Sequence, residues 1–143
     1  MTAGLPETSV AEALAEKIVA VRPGALPAAT VRKCEDLLID VAGLCVTARN
    51  EDYVRSALTA CDDDGPCTAI GHQRTLNAAG AAFVNGTAAH GEDFDDTFEG
   101  GPVHAGAVIV PAVLAACERH HPDGRMAKLK KRDFPKRIDG TST

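Results

Sequence analysis

The sequence contains no Trp, one Tyr and four Phe. A core built without large rings has to be filled by Ala, Val, Leu and Cys. Such side chains let helices approach closely, and Ala favours helix intrinsically. There is also no C-x-x-C pair: Cys34, Cys45, Cys61, Cys67 and Cys117 are an odd, scattered set. That argues against a disulfide framework and fits buried thiols in a reducing compartment. No apolar run approaches the length that spans a bilayer. The Met1 end lacks the basic and apolar regions of a signal peptide. These absences point to a cytoplasmic chain with no membrane partner.

Basic residues are scarce over most of the length. Residues 1–124 hold eight Lys or Arg against eighteen Asp or Glu, a balance of −10. Residues 125–143 hold seven against two, a balance of +5, and the two stretches together give the net −5. This shift marks a boundary at residue 124, followed by a basic tail expected to be disordered. The KLKKR cluster in that tail is too common a pattern to specify nucleic acid as a partner.

What is present reads as helix. SVAEALAEKIVAV opens with a capping box, Ser9 followed three residues later by Glu12, and Val10, Leu14, Ile18 and Val21 recur at helical spacing. LPAATVRKCEDLLIDVAGLCVTARN repeats Val31, Cys34, Leu38, Val41 and Cys45 at steps of three and four. Leu37, Ile39 and Leu44 widen that face and predict burial on more than one side. Residues 50–60 suit a short third helix, CDDDGPC a loop, and CTAIG a brief strand. The segment from Leu76 to His90 offers Leu76, Ala79, Ala82 and Phe83 for one apolar face, while Gly80 and Gly86 require a close neighbour. AGAVIVPAVLAACERHH gives a last helix that Pro111 either starts or kinks. The fold class expected is all-α.

Between the last two helices lies HGEDFDDTFEGGPVH, five carboxylates between His90 and His104. One reading is a solvated loop whose acids cap the following helix. A second is a metal site, since carboxylate and imidazole suit magnesium, manganese or non-haem iron. The DFDDT string also echoes phosphatases with an aspartyl nucleophile, but those need a buried strand before it, and here a helical segment precedes it. A third reading is an acid/base site in which an Asp fixes the tautomer of a His. In that arrangement Thr97 supplies a hydroxyl to a substrate, and Gly100-Gly101-Pro102 turns His104 back towards the acids. Spacing alone leaves these open.

AAFVNGTAAHGEDFDDTFEGGPVHAGAVIVPAVLAACE resembles the N-terminal signature of the MmgE/PrpD family, which includes 2-methylcitrate dehydratases, cis-aconitate decarboxylases and related epimerases. ALPAATVRKCEDLLIDVAGLCVTA and GPCTAIGHQRTLNAAGAAFVNG resemble the segments before it, so the similarity covers roughly residues 8–124. The resemblance implies the N-terminal part of a large helical domain. It also implies a lyase that abstracts a proton next to a carboxylate, a small di- or tricarboxylic acid as substrate, no cofactor and no metal, and a homodimer in the full-length form.

By position, the resemblance makes Asp93 and His104 catalytic and Thr97 substrate-binding. It also makes His90 a candidate for substrate binding, as a supporting partner, with a buried helix-end residue as the alternative, and leaves Asp95 and Asp96 as loop-holding groups. His72, His120 and His121 are expected at the surface. Phe98 stands where many members have His, and Ala105 follows His104 where many have Pro, so no one relative's substrate is implied. The family's enzymes are much longer, with an α/β lid, and the tail here is unlike their next helix. A truncated chain, weakly active or inactive alone, is therefore expected. The alternative is a non-enzymatic helical module with a basic arm.

Overall fold

The computed structural model describes residues 8–120. The boundary at 124 and the basic tail lie outside the described residues. The described residues fall into two compact units, divided between Val31 and Arg32.

Within the first unit, helix α1 spans Val10–Ala20 and begins with the predicted capping box. The Ser9 side chain accepts from the Glu12 backbone N–H, and the Glu12 carboxylate accepts from the Ser9 N–H. The apolar stripe along α1 is nevertheless open: Val10, Leu14 and Ile18 are all exposed. A 3-10 turn follows at Pro23–Ala25.

Helix α2, Ala28–Ala48, buries Val41, Cys45 and Ala48 from its C-terminal half. Burial on more than one side is not what forms, since Ile39 is 73% exposed and Val46 45% exposed. A helix is buried only where a neighbour covers it, and periodicity carries no information about which turns have one. Helix α3, Asp52–Thr59, follows almost at once and buries Val54 and Ala57.

A small antiparallel hairpin joins β1, Asp64–Thr68, to β2, Thr75–Leu76. The strand therefore starts inside the stretch read as a loop and stops before Ala69 and Ile70. Gly65 makes this pairing possible, because a Cβ there would lie 2.7 Å from the Asn77 Cα. Apart from this hairpin the described architecture is helical, as the all-α reading expected.

Helix α4, Ala78–His90, is capped by Asn77, whose side chain accepts from the Gly80 N–H at 2.7 Å. It buries Ala81, Val84, Asn85, Ala88 and Ala89. Of the face expected from sequence, Leu76 is buried, in β2, and Ala82 packs against the core, whereas Ala79 is exposed and Phe83 is 56% exposed. Nearly every position of α4 is apolar or small, so periodicity could not single out a face. Helix α5, Ala105–His120, packs along α4, with Gly106, Ala107, Pro111 and Ala115 buried.

The glycines fit the close approach expected of them: a Cβ on residue 86 would come to 3.1 Å from the Ala107 carbonyl oxygen. That carbonyl is the one Pro111 deprives of its helical donor, because proline lacks an N–H. Asn85 ties the hairpin loop to α4. Its side chain accepts from the Ile70 N–H at 2.8 Å and donates to the Thr68 carbonyl at 2.9 Å. Glu118 of α5 accepts from the Thr68 N–H and hydroxyl at 2.7 and 2.6 Å. The α4–α5 pair is thus held in register, and this fixes where the connecting loop begins and ends.

Candidate functional site

His90 is the last residue of α4 and His104 immediately precedes α5. Because the two helices pack side by side, the imidazoles meet with ring centroids 4.8 Å apart and planes tilted by 56°. The acidic loop must close over this pair. It leaves α4 through Asp93, which adopts a left-handed φ of 58° while its N–H donates to the His90 carbonyl. Aspartate tolerates this conformation better than most residues with a Cβ. The far end is closed by the Phe98 N–H donating to the Val103 carbonyl at 3.0 Å, across Gly100, Gly101 and Pro102.

The carboxylate of Asp95 is 0% exposed. Its oxygens lie 3.1 and 3.2 Å from Nδ1 of His90, and Oδ1 is also 3.2 Å from Nδ1 of His104. The first contact is a hydrogen bond. The second has the distance of an ion pair without hydrogen-bond alignment, and His104 Nδ1 is buried with no other described partner. Nε2 of His104 lies 3.7 Å from Oδ1 of Asp93, a side chain 77% exposed. A burying carboxylate beneath two imidazoles, with a second carboxylate at the open edge, has the makings of a proton-transfer site.

Four of the five acids have distinct places. Asp96 accepts from the Gly106 N–H at 2.8 Å and so caps α5, the helix-end role read from sequence. Asp95 does not share that role, for it contacts the two imidazoles instead. Glu92 accepts from the Tyr53 hydroxyl at 2.9 Å. Burial, and then the bond and charge of Glu92, push the Tyr53 hydroxyl up to about 12. The structure brings together Asp93, His104 and His90. Thr97 is exposed and forms no hydrogen bond with the described residues, so its hydroxyl is not drawn into the cluster. Neither the contact of Asp95 with the imidazoles nor that of Tyr53 with Glu92 was read from sequence. Nothing in DFDDT distinguishes the buried Asp from its neighbours.

His90, Asp93, Asp95 and His104 offer donor atoms within 4.8 Å of one another, a set that could hold a divalent cation. Against that use, Asp95 already faces both Nδ1 atoms and Asp93 is largely in solvent.

The MmgE/PrpD N-terminal domain model matches residues 12–134. The chain belongs to the MmgE/PrpD family. The match runs ten residues past the composition shift at 124. A cis-aconitate decarboxylase-like protein of Aspergillus oryzae, oryM, is 27% identical over 137 residues, covering 94% of this chain and 28% of that protein. The cis-aconitate decarboxylase of Aspergillus terreus is 29% identical over 97 residues, covering 65% of this chain and 20% of that protein. The chain thus spans roughly a quarter of the length of these MmgE/PrpD relatives, which are of the lyase type. No solved structure matches it. Among the described residues no helix is long and apolar enough to cross a membrane.

Proposed function

We propose that residues 32–120 carry the histidine–carboxylate half of a lyase site for a small di- or tricarboxylic acid. The observation that carries this reading is the placement of His104 between buried Asp95 and exposed Asp93, at 3.2 and 3.7 Å. There a proton can be taken from, or delivered to, the carbon next to a substrate carboxylate as water or carbon dioxide leaves. Thr97, exposed on the same loop, is a hydroxyl available to the substrate. The full-length form is proposed to be a cytoplasmic homodimer.

Charge indicates what this half lacks. The substrate is an anion, and the loop holds five carboxylates with no Lys or Arg between Arg74 and Arg119. Two like charges about 4 Å apart repel by roughly 4 kcal/mol at an effective dielectric near 20. Arg74 is engaged with Asp64 and with the carbonyls of Leu58 and Cys61. The cationic groups are therefore proposed to lie outside residues 32–118, and the isolated chain should turn over cis-aconitate and 2-methylcitrate little or not at all. Robust turnover by the purified chain would overturn that part of the proposal.

The site itself is tested in a chimera. Residues 12–120 replace the matching segment of the Aspergillus terreus cis-aconitate decarboxylase, with folding checked by circular dichroism. His104→Gln should lower decarboxylation about 10²- to 10⁴-fold, the range for loss of a general acid or base. A folded, active chimera indifferent to that change would sink the reading.

A second reading, a non-enzymatic module, draws on Val108, Ile109 and Val113, exposed along α5. Salt-sensitive binding to polyanions that vanishes when residues 125–143 are deleted would favour it.

A further inference from the structure

Both imidazoles turn the same nitrogen towards Asp95. Nδ1 of His90 lies 3.1 Å and Nδ1 of His104 3.2 Å from the same oxygen, Oδ1, of a carboxylate that is 0% exposed. A neutral imidazole has one N–H and one bare lone pair, and an ionised carboxylate only accepts. A bare Nδ1 at this distance would set two acceptors against each other where no solvent separates them. Desolvated polar groups facing the wrong partner carry the full cost of their lost hydration. A proton on each Nδ1 removes the conflict at both contacts. At the buried Nδ1 of His104, which has no described hydrogen-bond partner, the proton is drawn to the carboxylate by charge across 3.2 Å, off the hydrogen-bond line.

We infer that Asp95 is the positioning residue that holds His90 and His104 together in the Nδ1–H tautomer, leaving Nε2 as the working nitrogen of each ring. This rests on the lyase reading of the same site and deepens it. In His104 the nitrogen so freed is the one beside Asp93, at 3.7 Å. Proton exchange with a ligand then takes place at the Nε2 edge, where the exposed Asp93 carboxylate stands, and not at the buried edge. His90 is held by a hydrogen bond to the same carboxylate, and its ring packs against that of His104. One buried carboxylate thus sets the proton inventory of two bases, and Asp95 itself touches no ligand.

The experiment is long-range ¹H–¹⁵N NMR of the imidazole rings in the uniformly labelled chain, near pH 8.5, about two units above the ordinary imidazole value. The expected pattern at His90 and His104 is a protonated, pyrrole-type Nδ1 and a pyridine-type Nε2. An Nε2–H form at either ring, the tautomer histidine prefers in water, overturns the inference. Asp95→Asn replaces one acceptor oxygen with an NH₂ donor, and at least one ring should then change to Nε2–H as its major form. A folded D95N chain with both tautomers unchanged also overturns it. If D95N does not fold, the wild-type spectrum decides alone. Because the readout is independent of turnover, the correct tautomers beside an inactive chimera would remove the lyase reading and leave this one standing. Wrong tautomers beside an active chimera would do the reverse.

Discussion

Asp95 and His104 lie nine positions apart in the chain, yet Oδ1 of the first is 3.2 Å from Nδ1 of the second. The same oxygen meets His90 at 3.1 Å, so one side chain ties the end of α4 to the start of α5. Removing Asp95 deletes the hydrogen bond from His90 and leaves the buried Nδ1 of His104 with no carboxylate beside it. Asp95→Ala should destabilise the folded chain by about 2 kcal/mol, within the range for a hydrogen bond to a charged group. Urea unfolding followed by circular dichroism measures it. A change under about 0.5 kcal/mol, the scale of ordinary surface substitutions, would show that the loop is not held from Asp95.

The cap of α5 makes a coupled pair. Asp96 accepts from the Gly106 N–H, and a Cβ on residue 106 would collide with the Asp96 carboxylate. Asp96→Ala should cost about 1 kcal/mol as a lost N-cap. Gly106→Ala should cost more in the parent chain than in the Asp96→Ala background, where the obstructing group is gone. A double-mutant cycle by urea unfolding reads the difference. Strict additivity would remove this account of the loop–helix junction.

Tyr53 reports on the end of α4. It is the chain's single tyrosine, so ultraviolet absorbance follows its ionisation without interference. With the hydroxyl pushed up to about 12 from 10.0, it should remain largely neutral at a pH where the urea-unfolded chain is more than half ionised. Glu92→Gln should lower the native midpoint. Gly91→Ala should disturb the same signal, since a Cβ there would run into the Tyr53 ring.

Alkaline pH should weaken the fold through Cys45. Burial raises its thiol to about 11 from 9.0, against the smaller opposing effect of a backbone hydrogen bond. A raised folded value means that the contribution is fully present below 9 and is lost as pH climbs from 9 towards 11. The loss amounts to about 2 to 3 kcal/mol at 1.36 kcal/mol for each pKa unit. Burial raises Cys67 in the same direction, helped by the charge of Glu118. Cys45→Ala should flatten the pH dependence of unfolding over that window. Exposed Cys34 should react with thiol reagents first, with Cys45 and Cys67 modified only as the chain opens.

The four-donor cluster should not retain metal. With both Nδ1 atoms beside Asp95 and, on the tautomers proposed above, protonated, the atoms left for a cation are Nε2 nitrogens and a carboxylate that is 77% exposed. Elemental analysis of the purified chain should find well under one equivalent of zinc, manganese or iron. A stoichiometric ion that survives dialysis would reverse this expectation and displace the tautomer assignment with it.

The sequence by itself determined the helices and their signals. The Ser9–Glu12 capping box, the short third helix read over 50–60 and found at Asp52–Thr59, and the demand of Gly80 and Gly86 for a close neighbour follow from local chemistry, which acts over a few residues. It also placed His90 and His104 at the two helix ends that frame the acids. Only the tertiary structure decided which faces are covered, because α4 is apolar or small almost all round and the stripes of α1 and early α2 remain exposed. It alone separated Asp93, Asp95 and Asp96 into an open acid, a buried anchor and a helix cap. Adjacent aspartates are chemically identical until a fold gives one of them water and another an imidazole.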